Sequence, residues 1–184
     1  MLPAKISSDP AANCYLNNCY CRADARNDSK FNPVHNDMKS KPGTYVLILQ
    51  SETVEAVQIG KWGQMDLQPG YYAYVGSAFG PGGVKARVSR HCRAEKSKRW
   101  HIDYLREHAQ LVSVWYSHSP SRLEHRWATA LAQLPGALSI KRFGRSDCSC
   151  ESHLYFFDKR PDLAGFSTLA KMKIEEGYCV EKGG

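Results

Sequence analysis

At 184 residues, with 25 Lys or Arg against 18 Asp or Glu, the chain carries a formal net charge of +7. That length suits one domain with a single core, and no apolar run approaches the roughly 18 residues of a membrane span. The start, Met1-Leu2-Pro3-Ala4-Lys5, lacks the basic-then-apolar order of a secretory signal. The expected setting is the cytoplasm, with no membrane partner, where seven cysteines fit free thiols or metal ligands better than a disulfide framework.

Residues 1–40 are rich in Asn, Asp, Ser and Ala with little apolar periodicity, and read as a disordered tail. Order begins at Pro42-Gly43. Thr44 to Leu49 is an apolar, β-branched run, the pattern of a buried strand. Thr53 to Ile59 reads as a second strand, and after the turn signals Gly60-Lys61-Trp62-Gly63 and Pro69-Gly70, Tyr71 to Gly76 reads as a third. Its period of two sets Tyr72, Tyr74 and Gly76 on one face.

A glycine-rich turn, Ser77 to Gly83, opens a helix expected to run to about Glu95. A short helix over Trp100 to Glu107 follows, then a strand from Leu111 to Tyr116. A helix over Ser121 to Leu134 has Leu123, Trp127, Ala130, Leu131 and Leu134 as its apolar stripe. The last strand spans His153 to Phe157, and residues 161–184 read as a loose tail. The expected domain is therefore 41–160, an α+β fold with a small mixed β-sheet flanked by helices.

The basic excess is concentrated. Between Gly83 and Arg106 stand Lys85, Arg87, Arg90, Arg93, Lys96, Lys98, Arg99 and Arg106, with Glu95 and Asp103 as the only acids. Such a stripe attracts a phosphate backbone by charge neutralisation and counterion release, although a solvated helix face has the same composition.

Gly43-Thr44-Tyr45, Tyr74-Val75-Gly76 and Arg87-Val88-Ser89-Arg90-His91, in that order, resemble the GIY-YIG nucleases. Further stretches, Gly70 to Ala78, Trp100 to Leu105 and Asp147 to Leu154, resemble the branch of that superfamily sometimes fused to endonuclease III-type DNA glycosylases. The resemblance covers about residues 41–158. It implies a DNA endonuclease, with a repair protein such as a glycosylase among its partners.

It also implies roles. Tyr45 would activate water, Tyr74 would orient water or phosphate, and Arg87 would stabilise the transition state. His91 would share their hydrogen-bond network, and Glu124 would hold one magnesium or manganese ion. A single carboxylate suits magnesium, which keeps several waters and borrows phosphate oxygens. Lys85, Arg90, Arg93, Lys98, Arg99 and His101 would contact nucleic acid.

Each residue has another reading from its pattern alone. Tyr45 and Tyr74 are also ordinary strand aromatics. A tyrosine acting as a base at neutral pH needs a pKa well below its usual value of about 10. Ser121-Arg122-Leu123-Glu124 is a capping box, in which Glu124 would reach back to the Ser121 backbone.

Two departures from the family pattern stand out. The two namesake tyrosines lie 29 positions apart, a long connection, and Ser77 follows Tyr-Val-Gly where many active relatives have lysine. A catalytically inactive nucleic-acid-binding module is accordingly the alternative. Cys148, Cys150 and His153 form a second cluster whose sulfur and imidazole donors suit structural zinc. A zinc-stabilised adaptor for protein partners is the third reading. His108, His118 and His125 imply no site.

Overall fold

A computed structural model describes residues 31–34, 38–93, 96–144 and 150–181, with side chains from residue 38 to 179. The elements in chain order are β1 (Phe31–Val34), β2 (Gly43–Ser51), β3 (Glu55–Ile59), β4 (Gly63–Leu67) and β5 (Gly70–Ala78). Then come α1 (Gly83–Cys92), α2 (His101–Leu105), β6 (Gln110–Ser117), α3 (Glu124–Ala132), β7 (Leu138–Ser139), β8 (Leu154–Phe157), α4 (Leu163–Ala170) and β9 (Glu175–Glu181). Seven strands form one sheet in the order β1-β9-β6-β2-β5-β8-β7, and β3–β4 form a separate hairpin. The class is α+β, as expected, and every pairing among the described residues is antiparallel rather than mixed.

β2 is buried over nearly its whole length, because both faces of the sheet are covered. That accounts for its continuous apolar run in place of strict alternation. On one face Tyr45, Leu47, Leu49 and Tyr72 pack under Val84 and Val88 of α1, Ile102 and Leu105 of α2, and Val57, Ile59, Met65 and Leu67 of the hairpin. On the other face Val46, Ile48, Ala73, Val75 and Trp115 pack under Trp127 and Leu131 of α3 and Phe166 of α4. The β3–β4 hairpin accounts for the long connection between the two tyrosines. β4 was not expected, and its buried Met65 and Leu67 alternate with exposed Gln64 and Asp66.

Both expected tails are corrected in part. Phe31–Val34 pairs with β9, and β9 pairs with β6. Residues beyond 160 form α4, capped by Asp162 accepting from the Ala164 and Gly165 backbones at 3.3 and 2.7 Å. β9 escapes a local reading because its strongest anchor is polar and distant. The Glu176 carboxylate accepts from Ser113 Oγ, from Trp115 Nε1 at 3.2 Å and from Arg160 at 2.9 Å. Residues 1–30 lie outside the described residues.

The cysteine expectation also changes. Cys92 at the end of α1 and Cys179 on β9 form a disulfide, 87 positions apart, with Cα atoms 5.8 Å apart. The pairing is hidden in sequence because its second half sits in β9, a strand that no local pattern marks. A native disulfide typically stabilises by about 2–4 kcal/mol. Cys179→Ser is therefore expected to lower unfolding stability by that amount in urea titrations. Dithiothreitol should do the same to the wild type and nothing further to the variant.

Candidate active site

Tyr45 of β2 lies opposite Gly76 of β5 in the strand register, and its ring covers that glycine so closely that a Cβ there would collide with the phenol. Gly76 therefore provides the space in which the tyrosine lies flat. The Tyr45 hydroxyl is 3.0 Å from His91 Nε2, one turn after Arg87 on α1. His91 is fully buried, and its Nδ1 faces the Asp103 carboxylate of α2 at 3.8 Å. The tautomer that suits both neighbours carries its proton on Nδ1 and accepts from the phenol on Nε2.

Asp103, counted in sequence only as an acid in a basic stretch, is the hub of this corner. Its buried carboxylate accepts two hydrogen bonds from Arg90 Nη1 at 3.0 and 3.1 Å and one from Nη2 at 3.1 Å. It also accepts the Arg99 and Trp100 backbone N–H groups at 2.9 and 3.1 Å, and Lys96 Nζ stands 3.5 Å away. The third residue of a helix is where a carboxylate best satisfies free N–H groups and the helix dipole. Burial alone would raise its pKa, but these hydrogen bonds and the lysine charge hold it below the usual value.

Arg87 behaves differently from Arg90, three residues on. Its guanidinium stacks 4.3 Å above the Trp100 ring and has no carboxylate within ion-pair distance among the described residues. It stays available to an anion, whereas Arg90 is committed to Asp103 and also stacks on Trp100 at 4.4 Å. Of the other expected nucleic-acid contacts, Lys85, Arg93 and Arg99 are exposed. Lys98 pairs with Glu107 at 2.7 Å. His101 sits edge-on to Phe143, which Tyr74 also contacts edge-on.

Glu124 is the first residue of α3, and the capping-box reading does not hold. The Ser121 N–H donates to Ser119 Oγ at 3.3 Å, while Glu124 Oε1 lies 3.0 Å from His153 Nδ1. Burial pushes its carboxyl up, but hydrogen bonds from His153 and Ser77 bring it below the usual range, so it is ionised. Ser77, at the position of the missing lysine, thus engages the carboxylate itself. Thr44 of the first motif holds α3 in place, its buried Oγ1 accepting the Leu123 N–H at 3.3 Å.

These elements bring Tyr45, Tyr74, Arg87, His91 and Glu124 together. Tyr45 and Tyr74 each respond electrostatically to Arg87 and Glu124. Burial raises both phenols well above 10, with neighbouring negative groups adding to it and Arg87 opposing it. Neither is a resident phenolate. Burial, then the Lys96 charge, lowers His91 well below 6.5 against the opposing pull of Asp103, so the imidazole is neutral.

A depressed folded-state histidine leaves stability intact above pH 6.5 and removes it as pH falls, by up to about 1.4 kcal/mol per unit. Urea unfolding between pH 8 and 5 should therefore show a shallower acid loss for His91→Gln than for the wild type. Equal slopes would mean that His91 titrates in the folded protein as it does in the unfolded chain.

Two residues outside the expected set join this region. Asp103 is one, and His125 is the other. His125 Nδ1 lies 3.0 Å from Cys150 Sγ, and its ring meets His153 edge-on. No local spacing ties His125 to partners 25 and 28 positions away. Cys148 lies outside the described residues.

The chain belongs to the DUF123 family, described as a domain of unknown function, whose model matches residues 44–175. That span takes in all five clustered residues and α4. No curated protein and no solved structure matches the chain. Among the described residues no helix is long and apolar enough to cross a membrane.

Proposed function

We propose that the protein is a metal-dependent endonuclease of GIY-YIG type that hydrolyses phosphodiester bonds in DNA, in repair or in the processing of unusual DNA structures. The observation that carries this reading is the convergence of Tyr45 (β2), Tyr74 (β5), Arg87 and His91 (α1) and Glu124 (α3) from four separate elements.

The chemistry follows from the proton positions. A phenol with a raised pKa cannot hold a negative charge at rest, so Tyr45 acts as a relay. As water attacks phosphorus, its proton passes to the Tyr45 oxygen while the Tyr45 proton moves to His91 Nε2. Asp103 then faces the imidazolium so formed. Arg87 meets the equatorial phosphoryl oxygens, where charge develops. Glu124 is ionised and partly exposed, as a magnesium or manganese ligand must be. The ion would supply positive charge at the leaving oxygen. Lys85, Arg93 and Arg99 are exposed and suited to backbone phosphates.

A catalytically inactive DNA-binding module is the second reading, favoured by Ser77 after Tyr-Val-Gly, where many active relatives of GIY-YIG type have lysine. A cytoplasmic setting, in which the Cys92–Cys179 disulfide would have to withstand reduction, and a repair partner such as a glycosylase complete the proposal. Incubating the protein with supercoiled plasmid and branched DNA in magnesium, manganese or EDTA separates the readings. Nicking that needs the metal supports the nuclease. A salt-sensitive gel shift without nicking supports the binding module.

A further inference from the structure

His125, Cys150 and His153 place one donor atom each within 4.8 Å of one another. They arrive from the second residue of α3, from the segment before β8 and from the entry to β8. A tetrahedral ion with bonds of about 2.3 Å to sulfur and 2.0 Å to nitrogen sets its donors roughly 3.5 Å apart. An inward movement of about an ångström would seat one, and His125 Nδ1 and Cys150 Sγ are already in contact at 3.0 Å.

The best evidence for a built site is His153. Its backbone is fixed on both sides, its N–H donating to the Phe143 carbonyl at 3.0 Å and its carbonyl accepting from Val75 at 2.9 Å. Its ring is buried, and Nδ1 lies 3.0 Å from the Glu124 carboxylate. A carboxylate beside one nitrogen of a ligand histidine recurs in metal sites, where it orients the ring. Cys150 is half-buried and outside the disulfide, and the exposed side of His125 leaves an entry path.

We infer that His125, Cys150 and His153 bind a divalent transition metal of the zinc class, with Glu124 orienting His153 from behind. Imidazole and thiolate select zinc or its neighbours over magnesium, which takes oxygen donors. A fourth position remains for water or another donor. The site adjoins the proposed active site through Glu124, but it stands whether or not the protein cleaves DNA.

Cobalt(II) titration of the full, chelator-stripped chain, with the Cys92–Cys179 disulfide left intact, tests it. Stoichiometric uptake should give a thiolate-to-cobalt charge-transfer band and intense tetrahedral d–d bands, both displaced by zinc. Cys150→Ser should abolish the charge-transfer band, and His125→Ala should weaken the affinity at least tenfold. Absence of uptake, or a charge-transfer band that persists in Cys150→Ser, would overturn the assignment. Side-chain nitrogen NMR of the wild type needs no variant. Zinc should shift one ring nitrogen each of His125 and His153, and a spectrum unmoved by zinc would also reject the site.

Discussion

Arg87→Ala is expected to cost about 10²–10³-fold in cleavage rate while leaving the fold nearly as stable as before. Removing one preorganised donor from a developing oxyanion carries that kinetic penalty. The guanidinium is half-buried on Trp100, so the structural loss is a cation–π contact of about 1 kcal/mol. Arg90→Ala supplies the contrast, because it strips three hydrogen bonds from a buried carboxylate and acts on stability first. Single-turnover cleavage beside urea unfolding tells the two arginines apart. Equal kinetic and stability profiles would deny Arg87 its separate role.

Asp103→Ala is expected to have the largest effect on stability, about 3–5 kcal/mol. Removing one partner from a buried ionic cluster leaves the others uncompensated. Here Arg90 and Lys96 side chains would remain, only 18% and 8% exposed. Lys96 is already lowered to about 8, by burial first and then by Arg106, and would lose the carboxylate that favours its charge. Asp103→Asn keeps acceptors for the Arg99 and Trp100 N–H groups and should fall between wild type and alanine. The carboxyl lies below its unfolded value, so its contribution is full above the ordinary carboxylate range and is lost as acid protonates it. A change under 1 kcal/mol for Asp103→Ala, read from urea midpoints, would contradict the hub.

The readable parts of this molecule were those whose signal is local. β2 was marked by its apolar run, α1 by the glycine-rich turn before it, and α3 by Trp127 and Leu131 at helical spacing. Tyr45 and His91 could be paired only through a family pattern, since their contact joins elements 46 positions apart. The hidden parts are held by distant polar contacts. β9 depends on Glu176 reaching Ser113 and Trp115, 63 and 61 positions away. The disulfide depends on β9, and His125 joins Cys150 and His153 only because α3 and β8 approach the same end of the sheet. Asp103 and Arg90 look like solvated charges in sequence. Their true environment appears once α1 and α2 pack together over Trp100.

The most direct test of the proposed active site compares wild type, Tyr45→Phe and Glu124→Gln in metal-dependent nicking of supercoiled plasmid, with each protein first shown to be folded. Tyr45→Phe removes the hydroxyl that contacts His91, and Glu124→Gln removes the ionised carboxylate. The account predicts that nicking by the wild type requires the ion and falls at least a hundredfold in both variants, while DNA retention in a gel shift persists. Nicking that survives either substitution would contradict it.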